Sequence, residues 1–126
     1  MDRLRRRADF VAAAGGAKAP TSAFVLQARP RGDEAPARVG FTVSRKVGTA
    51  VERNRVRRRL RALVRQAAEG RVLAGHDYVV VGRRAALSAR FERMIEDFAA
   101  ALGRVHTRRG SRSAAPDARS RAEETQ

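Results

Sequence analysis

The run Glu52–Arg65, ERNRVRRRLRALVR, holds one acid and seven arginines, yet a regular apolar pattern passes through it. Val56, Leu60, Leu63, Val64 and Ala67 fall at i, i+4, i+7, i+8 and i+11, which is one face of an amphipathic helix. At about 100° per residue, Asn54, Arg58, Arg61 and Arg65 gather on the opposite face, with Arg57 beside them. The run is therefore a helix with a stripe to bury and a stripe of cations.

The flanks set that helix in a fold. Upstream, Thr49 can cap it and Glu52 stands three residues on, a capping box. The helix is expected to stop near Gly70. Before it, RVGFTVS (38–44) alternates Val39, Phe41 and Val43 with smaller or polar residues, the pattern of a strand. After it, DYVVVGR (77–83) is a continuous β-branched run, expected as a strand buried on both faces. Residues 38–83 thus form a strand–helix–strand unit.

Further out, SAFVLQA (22–28) reads as a strand between Pro20 and Pro30, and RPRGDEAPA (29–37) as a turn-rich connection. These predict an antiparallel hairpin of 22–28 with 38–44. Leu4, Ala8 and Val11 predict a first helix over 3–14, stopped by Gly15-Gly16. Ser88 is expected to cap a third helix with Phe91, Ile95, Phe98, Leu102 and Val105 as its stripe. From Thr107 the pattern ends, and the polar segment 107–126 is expected to be a disordered tail. The fold class is then α+β, an α/β sandwich of helices on a small sheet. Residues 1–106 form its one domain.

Composition bounds the function. The 126 residues carry a formal net charge of +15, which points to a polyanionic partner: nucleic acid, or an anionic membrane surface. No apolar run approaches the ~20 residues of a membrane-spanning helix, and the N-terminus lacks the apolar core of a signal peptide. The absence of cysteine excludes disulfides and thiolate metal sites and suits a cytoplasmic protein. Only Lys18 and Lys46 are lysines; a GC-rich genome accounts for arginine in general, so the clustering is the informative part.

Nine cations fall between Ser44 and Arg65: Arg45, Lys46, Arg53, Arg55, Arg57, Arg58, Arg59, Arg61 and Arg65. Arg53 and Arg55 sit in the first turns, where the helix dipole disfavours positive charge by a few tenths of a kcal/mol each. Like charges at i, i+4 cost similar amounts. A solvated surface helix mixes signs to avoid this, whereas phosphates would neutralise it. Gly48 and the exposed amides at the helix start add anion-binding groups. Apart from Asn54, the face lacks the Asn, Gln, Ser and Thr that read bases in a DNA major groove, which favours backbone and shape contact.

The segment RKVGTAVERNRVRRRLR strongly resembles the bacterial ribonuclease P protein component. That family carries a Ser-basic-basic segment, a Gly-x-Ala turn and an Arg-Asn-Arg helix signature. Here these are Ser44, Arg45, Lys46, Gly48, Ala50, Arg53, Asn54 and Arg55, with Arg58 and Arg61 on following turns. RLRRRADF, FVL (24–26) and DYVVVGRRA (77–85) extend the likeness over roughly residues 3–105. The resemblance implies a sheet of four strands with three helices and a left-handed strand–helix–strand crossover, against the usual right-handed rule. The fourth strand is then expected in 29–38.

The resemblance also implies a function: the protein subunit of an endoribonuclease that hydrolyses one phosphodiester bond to remove the 5′ leader of precursor tRNA. Catalysis and Mg²⁺ then belong to the catalytic RNA, with no catalytic residue and no metal on the protein. Its partners are that RNA and precursor tRNA. By the same likeness, Ser44, Arg45, Lys46, Arg53, Asn54, Arg55, Arg57, Arg58, Arg61 and Arg65 face the catalytic RNA. Phe10, Val25, Gln27 and Arg84 line a cleft for the single-stranded leader. Ala14 stands where many relatives have a second aromatic, and Gln27 where some have Tyr, so fewer stacking platforms are available.

Other chemistry finds little support. The acids are scattered along the chain, and His76 and His106 are far apart, each expected as a loop residue. No P-loop, nucleotide fingerprint or metal-ligand spacing is present. Two rival readings share the charge and size: a structural RNA-binding protein of the ribosomal kind, and a basic DNA-binding protein. The RNA that co-purifies separates the first; competition between duplex DNA and structured RNA separates the second.

Overall fold

The computed structural model describes residues 1–114. A mixed sheet carries one helix on one face and two on the other. Its strands are β1 (Asp2–Arg3), β2 (Ala17–Pro20), β3 (Phe24–Pro30), β4 (Arg38–Thr42) and β5 (His76–Gly82), in the order β1-β4-β5-β3-β2. The helices are α1 (Arg7–Ala14), α2 (Ala50–Ala67) and α3 (Phe91–Ala114). β5 runs parallel to β4 and antiparallel to β3.

The expected hairpin of β3 with β4 does not form. β5 lies between them, and β3 makes its hairpin with β2 instead. Only β5 is buried along both faces, around its run of three valines, so it takes the middle position, where helices cover it from above and below. The sheet has five strands rather than four, and the added ones are β1 and β2, not the segment 29–38, which connects β3 to β4.

The first helix starts at Arg7, not at residue 3. The chain before it is captured by the sheet edge: the Asp2 amide donates to Ala37 O at 2.7 Å and the Leu4 amide to Val39 O at 3.0 Å. Leu4 is thereby buried. Ser88 caps no helix; residues 84–87 make a 3-10 turn that Ser88 closes, and α3 begins three residues later at Phe91. α3 runs on to Ala114, beyond the change in pattern at Thr107, because nothing before Pro116 forbids helical backbone. Residues 115–126 of the expected tail lie outside the described residues.

Two cores follow from the alternation of the strands. Phe24, Leu26 and Ala28 of β3, with Tyr78 and Val80 of β5, face α2 and α3, and meet Val56, Leu60, Leu63, Met94, Phe98 and Leu102. Each such Leu or Phe contributes about 1.5–3 kcal/mol by leaving water. On the other face Leu4, Ala13 and Val79 are buried, with Phe10 and Val81 packed against them. The larger core fixes α2 and the smaller one fixes α1. The cationic stripe and the residues around Phe10 therefore lie on opposite sides of the sheet.

Candidate nucleic-acid interface

α2 begins as its sequence predicts. The Glu52 amide donates to Thr49 Oγ1 at 3.2 Å, and the Thr49 amide donates to Glu52 Oε1 at 2.9 Å, closing the capping box. Arg84 joins this start from the turn after β5. Its guanidinium donates to Val47 O at 2.7 Å and pairs with Glu52 at 3.2 Å. The Glu52 carboxyl is held below its ordinary range, first by the hydrogen bond from Arg84 and then by the Thr49 amide. Gly48 has φ 155° and ψ −155°, a region open only to glycine, and a Cβ there would strike Glu52 and come within 2.7 Å of Arg84 Nη1.

From that start, the buried stripe of Val56, Leu60, Leu63, Val64 and Ala67 turns the basic residues outward. Ser44, Arg45, Lys46, Asn54, Arg55, Arg58, Arg61 and Arg65 are exposed, while Arg53 and Arg57 are half-buried. Arg57 donates to Asn54 Oδ1 at 3.2 Å, one turn back. Arg59 is held inward, donating to Ala86 O at 2.6 Å. None of the basic residues between Ser44 and Arg65 forms an ion pair among the described residues. The face is cationic and uncompensated.

Across the sheet, Phe10 projects from α1 over β4. A Cβ on Gly40 would lie 2.5 Å from Phe10 Cζ, so the ring occupies the space that the missing side chain leaves. Beside it, Val25 pairs with Val81 and Gln27 with Val79, and these four side chains share the α1 face of the sheet. Phe10, Val25 and Gln27 are all half-buried, which leaves this strip of the sheet beside α1 partly open to solvent; the strip is the α1 groove. Lys18 pairs with Gln27 across β2 and β3 and stands on this same face, since Ala17 and Ala19 point into the other core.

Arg84 does not join that group; its guanidinium is engaged at the start of α2. The cation beside Gln27 is Lys18. The sequence signal for it was the alternation of AKAP (17–20), which was hidden because so short an alanine-rich run is a poor strand former.

At one end of the groove the structure gathers groups that looked scattered. Asp77 is fully buried and accepts from Arg31 Nη1 at 2.7 Å, from Arg38 Nε and Nη2 at 2.8 Å each, and from Arg29 Nη2 at 3.3 Å. Asp9 of α1 pairs with Arg29 at 3.2 Å and Arg38 at 3.5 Å, tying the helix to the sheet. Burial would raise the Asp77 carboxyl, but the hydrogen bonds from Arg38 and Arg31 outweigh it and hold it below the ordinary carboxylate range. Asp33 pairs with Arg31 at 3.0 Å, so three carboxylates meet three arginines in a structural clasp with its charges matched.

A family model described as Ribonuclease P matches residues 1–106. The chain belongs to the ribonuclease P protein family. Among relatives, the ribonuclease P protein component of Paramagnetospirillum magneticum is 46% identical over 123 residues, covering 93% of this chain and 92% of that protein. That of Gluconacetobacter diazotrophicus is 44% identical over 107 residues, covering 84% and 92%. The solved RNase P protein of Staphylococcus aureus superposes with a TM-score of 0.67 at 25% identity, covering 82% of this chain and 94% of that one. That of Thermotoga maritima gives 0.63 at 30% identity, covering 78% and 92%.

Membership makes this chain a subunit of an endoribonuclease, ribonuclease P, working with an RNA subunit in the processing of the 5′ leader of tRNA. The ribonuclease P fold thus presents two separate surfaces, the arginine face of α2 and the groove beneath α1. Among the described residues no helix is long and apolar enough to cross a membrane.

Proposed function

We propose that the two surfaces divide the two RNAs between them. The α2 face, with Ser44, Arg45, Lys46, Arg53, Asn54, Arg55, Arg57, Arg58, Arg61 and Arg65, binds the phosphates of the catalytic RNA. The groove of Phe10, Val25 and Gln27, with Lys18 at its edge, takes the single-stranded leader of precursor tRNA. Arg84 acts indirectly, by holding Glu52 and the loop 44–49 in place. The observation that carries this reading is the uncompensated cationic face of α2 on the opposite side of the sheet from the α1 groove. Such a face costs the folded chain self-repulsion, and a bound polyanion relieves it.

The chemistry then rests on the RNA, with Mg²⁺ held there, in the cytoplasm. Among the described residues no group of three or more His, Asp or Glu could hold a metal, which supports this reading. The Asp77 and Asp9 carboxylates are bound to arginines. The test is reconstitution of the chain with its cognate ribonuclease P RNA and a precursor tRNA. The expected result is leader removal that needs the RNA and is stimulated by the protein. Cleavage by RNA-free protein, lost on substitution of a protein carboxylate, would overturn it.

A further inference from the structure

The edge of the sheet beside α2 holds a cavity of about 250 Å³ that borders the arginine face and shares Arg61 and Arg65 with it. Arg3, Val39, Phe41, Arg61, Val64 and Arg65 line it. It exists because β1 is so short: β1 pairs only with Arg38 and Val39, which leaves the flank of β4 at Phe41 without a neighbouring strand. Phe41 is half-buried, packed at its base on the α2 core. The guanidinium of Arg61 hangs over its ring, 6.0 Å from the centroid.

We infer that this cavity is a nucleotide pocket, in which Phe41 stacks one unpaired base of the catalytic RNA. The inference rests on the reading of the α2 face as the surface for that RNA, and deepens it. The volume lies below the ~300–1,000 Å³ of sites for drug-sized ligands and suits one flat ring system. Its walls are an aromatic face and two valines, and its rim carries Arg3, Arg61 and Arg65 against a single acid, Asp2. An occupant with a flat apolar body and an anionic tail matches both parts, and a nucleotide has both. Two stacking steps of roughly 3.4 Å would separate Phe41 from Arg61 with a base between them. Arg61 is exposed and in no ion pair among the described residues, so it needs to lift by only about 1 Å. Bases inside an A-form helix are out of reach, so the base comes from a loop, bulge or end.

The experiment measures binding of the full chain to its cognate ribonuclease P RNA, with thermal unfolding alongside. Phe41→Leu keeps apolar bulk on the core and removes the stacking face. It should weaken binding by about 5- to 150-fold, the equivalent of ~1–3 kcal/mol for one stacked base, with the salt dependence unchanged because no phosphate contact is lost. Phe41→Tyr should bind like the wild type. Chemical probing should show one unpaired nucleotide protected by the wild type and by Phe41→Tyr, and exposed with Phe41→Leu. Ultraviolet cross-linking of the wild-type complex should join a nucleotide to Phe41, a readout independent of how the variants fold. Wild-type affinity and protection with Phe41→Leu would overturn the pocket, as would cross-links confined to other residues. Should Arg58, Arg61 and Arg65 changed together to Ala weaken binding while Phe41→Leu does not, only the pocket falls. Should neither matter, the α2 reading falls with it.

Discussion

The hydroxyl of Tyr78 sits 2.8 Å from Nε2 of His106, a residue 28 positions further along the chain. The Leu73 amide donates to the same hydroxyl at 2.9 Å, and the His76 ring stacks beside it, 6.1 Å from the Tyr78 centroid. One buried phenol thus ties the loop before β5, β5 itself and the far part of α3 together. Tyr78→Phe preserves the ring and removes the oxygen. The Leu73 amide then loses its acceptor, at a cost of about 1–3 kcal/mol. The expected result is a lower urea midpoint with an unchanged slope, read by circular dichroism. A midpoint equal to that of the wild type would show that water replaces the hydroxyl.

That cluster also shows where the sequence stopped being readable. His76 and His106 looked like separate loop residues, yet their ring centroids are 6.3 Å apart. His76 belongs to β5 and His106 to α3, and only the packing of α3 on the sheet brings them together. α2 was legible to its cap, because its stripe, its capping box and its charge all have helical spacing and need no distant partner. β1 and β2 were not, because runs of two and four residues become strands only through the neighbours they pair with. The β3–β4 hairpin failed for the same reason: local alternation identifies a strand but not its neighbour. For the site, the α2 residues were readable as a face. Lys18 in place of Arg84 beside the groove, and the Asp77 clasp, depend on sheet register and were not.

Asp77 predicts a specific acid response. Its carboxyl titrates below the ordinary 3.8 in the folded chain, because Arg38 and Arg31 favour the charged form. The unfolded chain takes up that proton at a higher pH than the folded one. The stabilisation is therefore complete above the unfolded pKa of about 3.9 and is lost as pH falls through the folded value below it. Asp77→Asn leaves three arginines around a neutral side chain and should cost about 3–5 kcal/mol near neutral pH. Unfolding free energy measured from pH 7 downwards should decline less steeply below about pH 4 in the variant than in the wild type. Parallel curves in that range would assign the acid response to other carboxylates.

The arginines of α2 separate by what they touch. Arg58, Arg61 and Arg65 are exposed and in no ion pair among the described residues; Arg59 donates to Ala86 O. Changing Arg58, Arg61 and Arg65 together to Ala should weaken catalytic-RNA binding and flatten its salt dependence. Each lost phosphate contact removes about 0.7–0.9 from the log–log slope. Arg59→Ala should instead lower stability, by about 1.5–3 kcal/mol for a charged hydrogen bond, and leave the slope alone. Filter binding across a salt series, with thermal unfolding of each variant, distinguishes the two. Equal slopes for the wild type, the triple variant and Arg59→Ala would remove α2 from the interface.

Phe10 and Gly40 test the groove as a pair. The ring is half-buried, so it could serve the small core, the leader, or both. Phe10→Ala should weaken binding of precursor tRNA carrying a leader, by up to roughly a hundredfold for one stacking platform, and leave mature tRNA almost unchanged. Because Ala14 and Gln27 offer no second ring, the loss should sit at the upper end. Gly40→Ala reaches the same site without touching the ring's chemistry. Its Cβ would stand 2.5 Å from Phe10 Cζ and 3.0 Å from Leu4 Cβ, so the ring must swing away from β4. It should therefore reproduce the leader-specific defect with Phe10 still in place. The measurement is affinity for precursor against mature tRNA in the assembled particle, with thermal unfolding of both variants. A loss shared equally by the two tRNAs, accompanied by lowered thermal stability, would make Phe10 a core residue and leave the leader to Val25, Gln27 and Lys18.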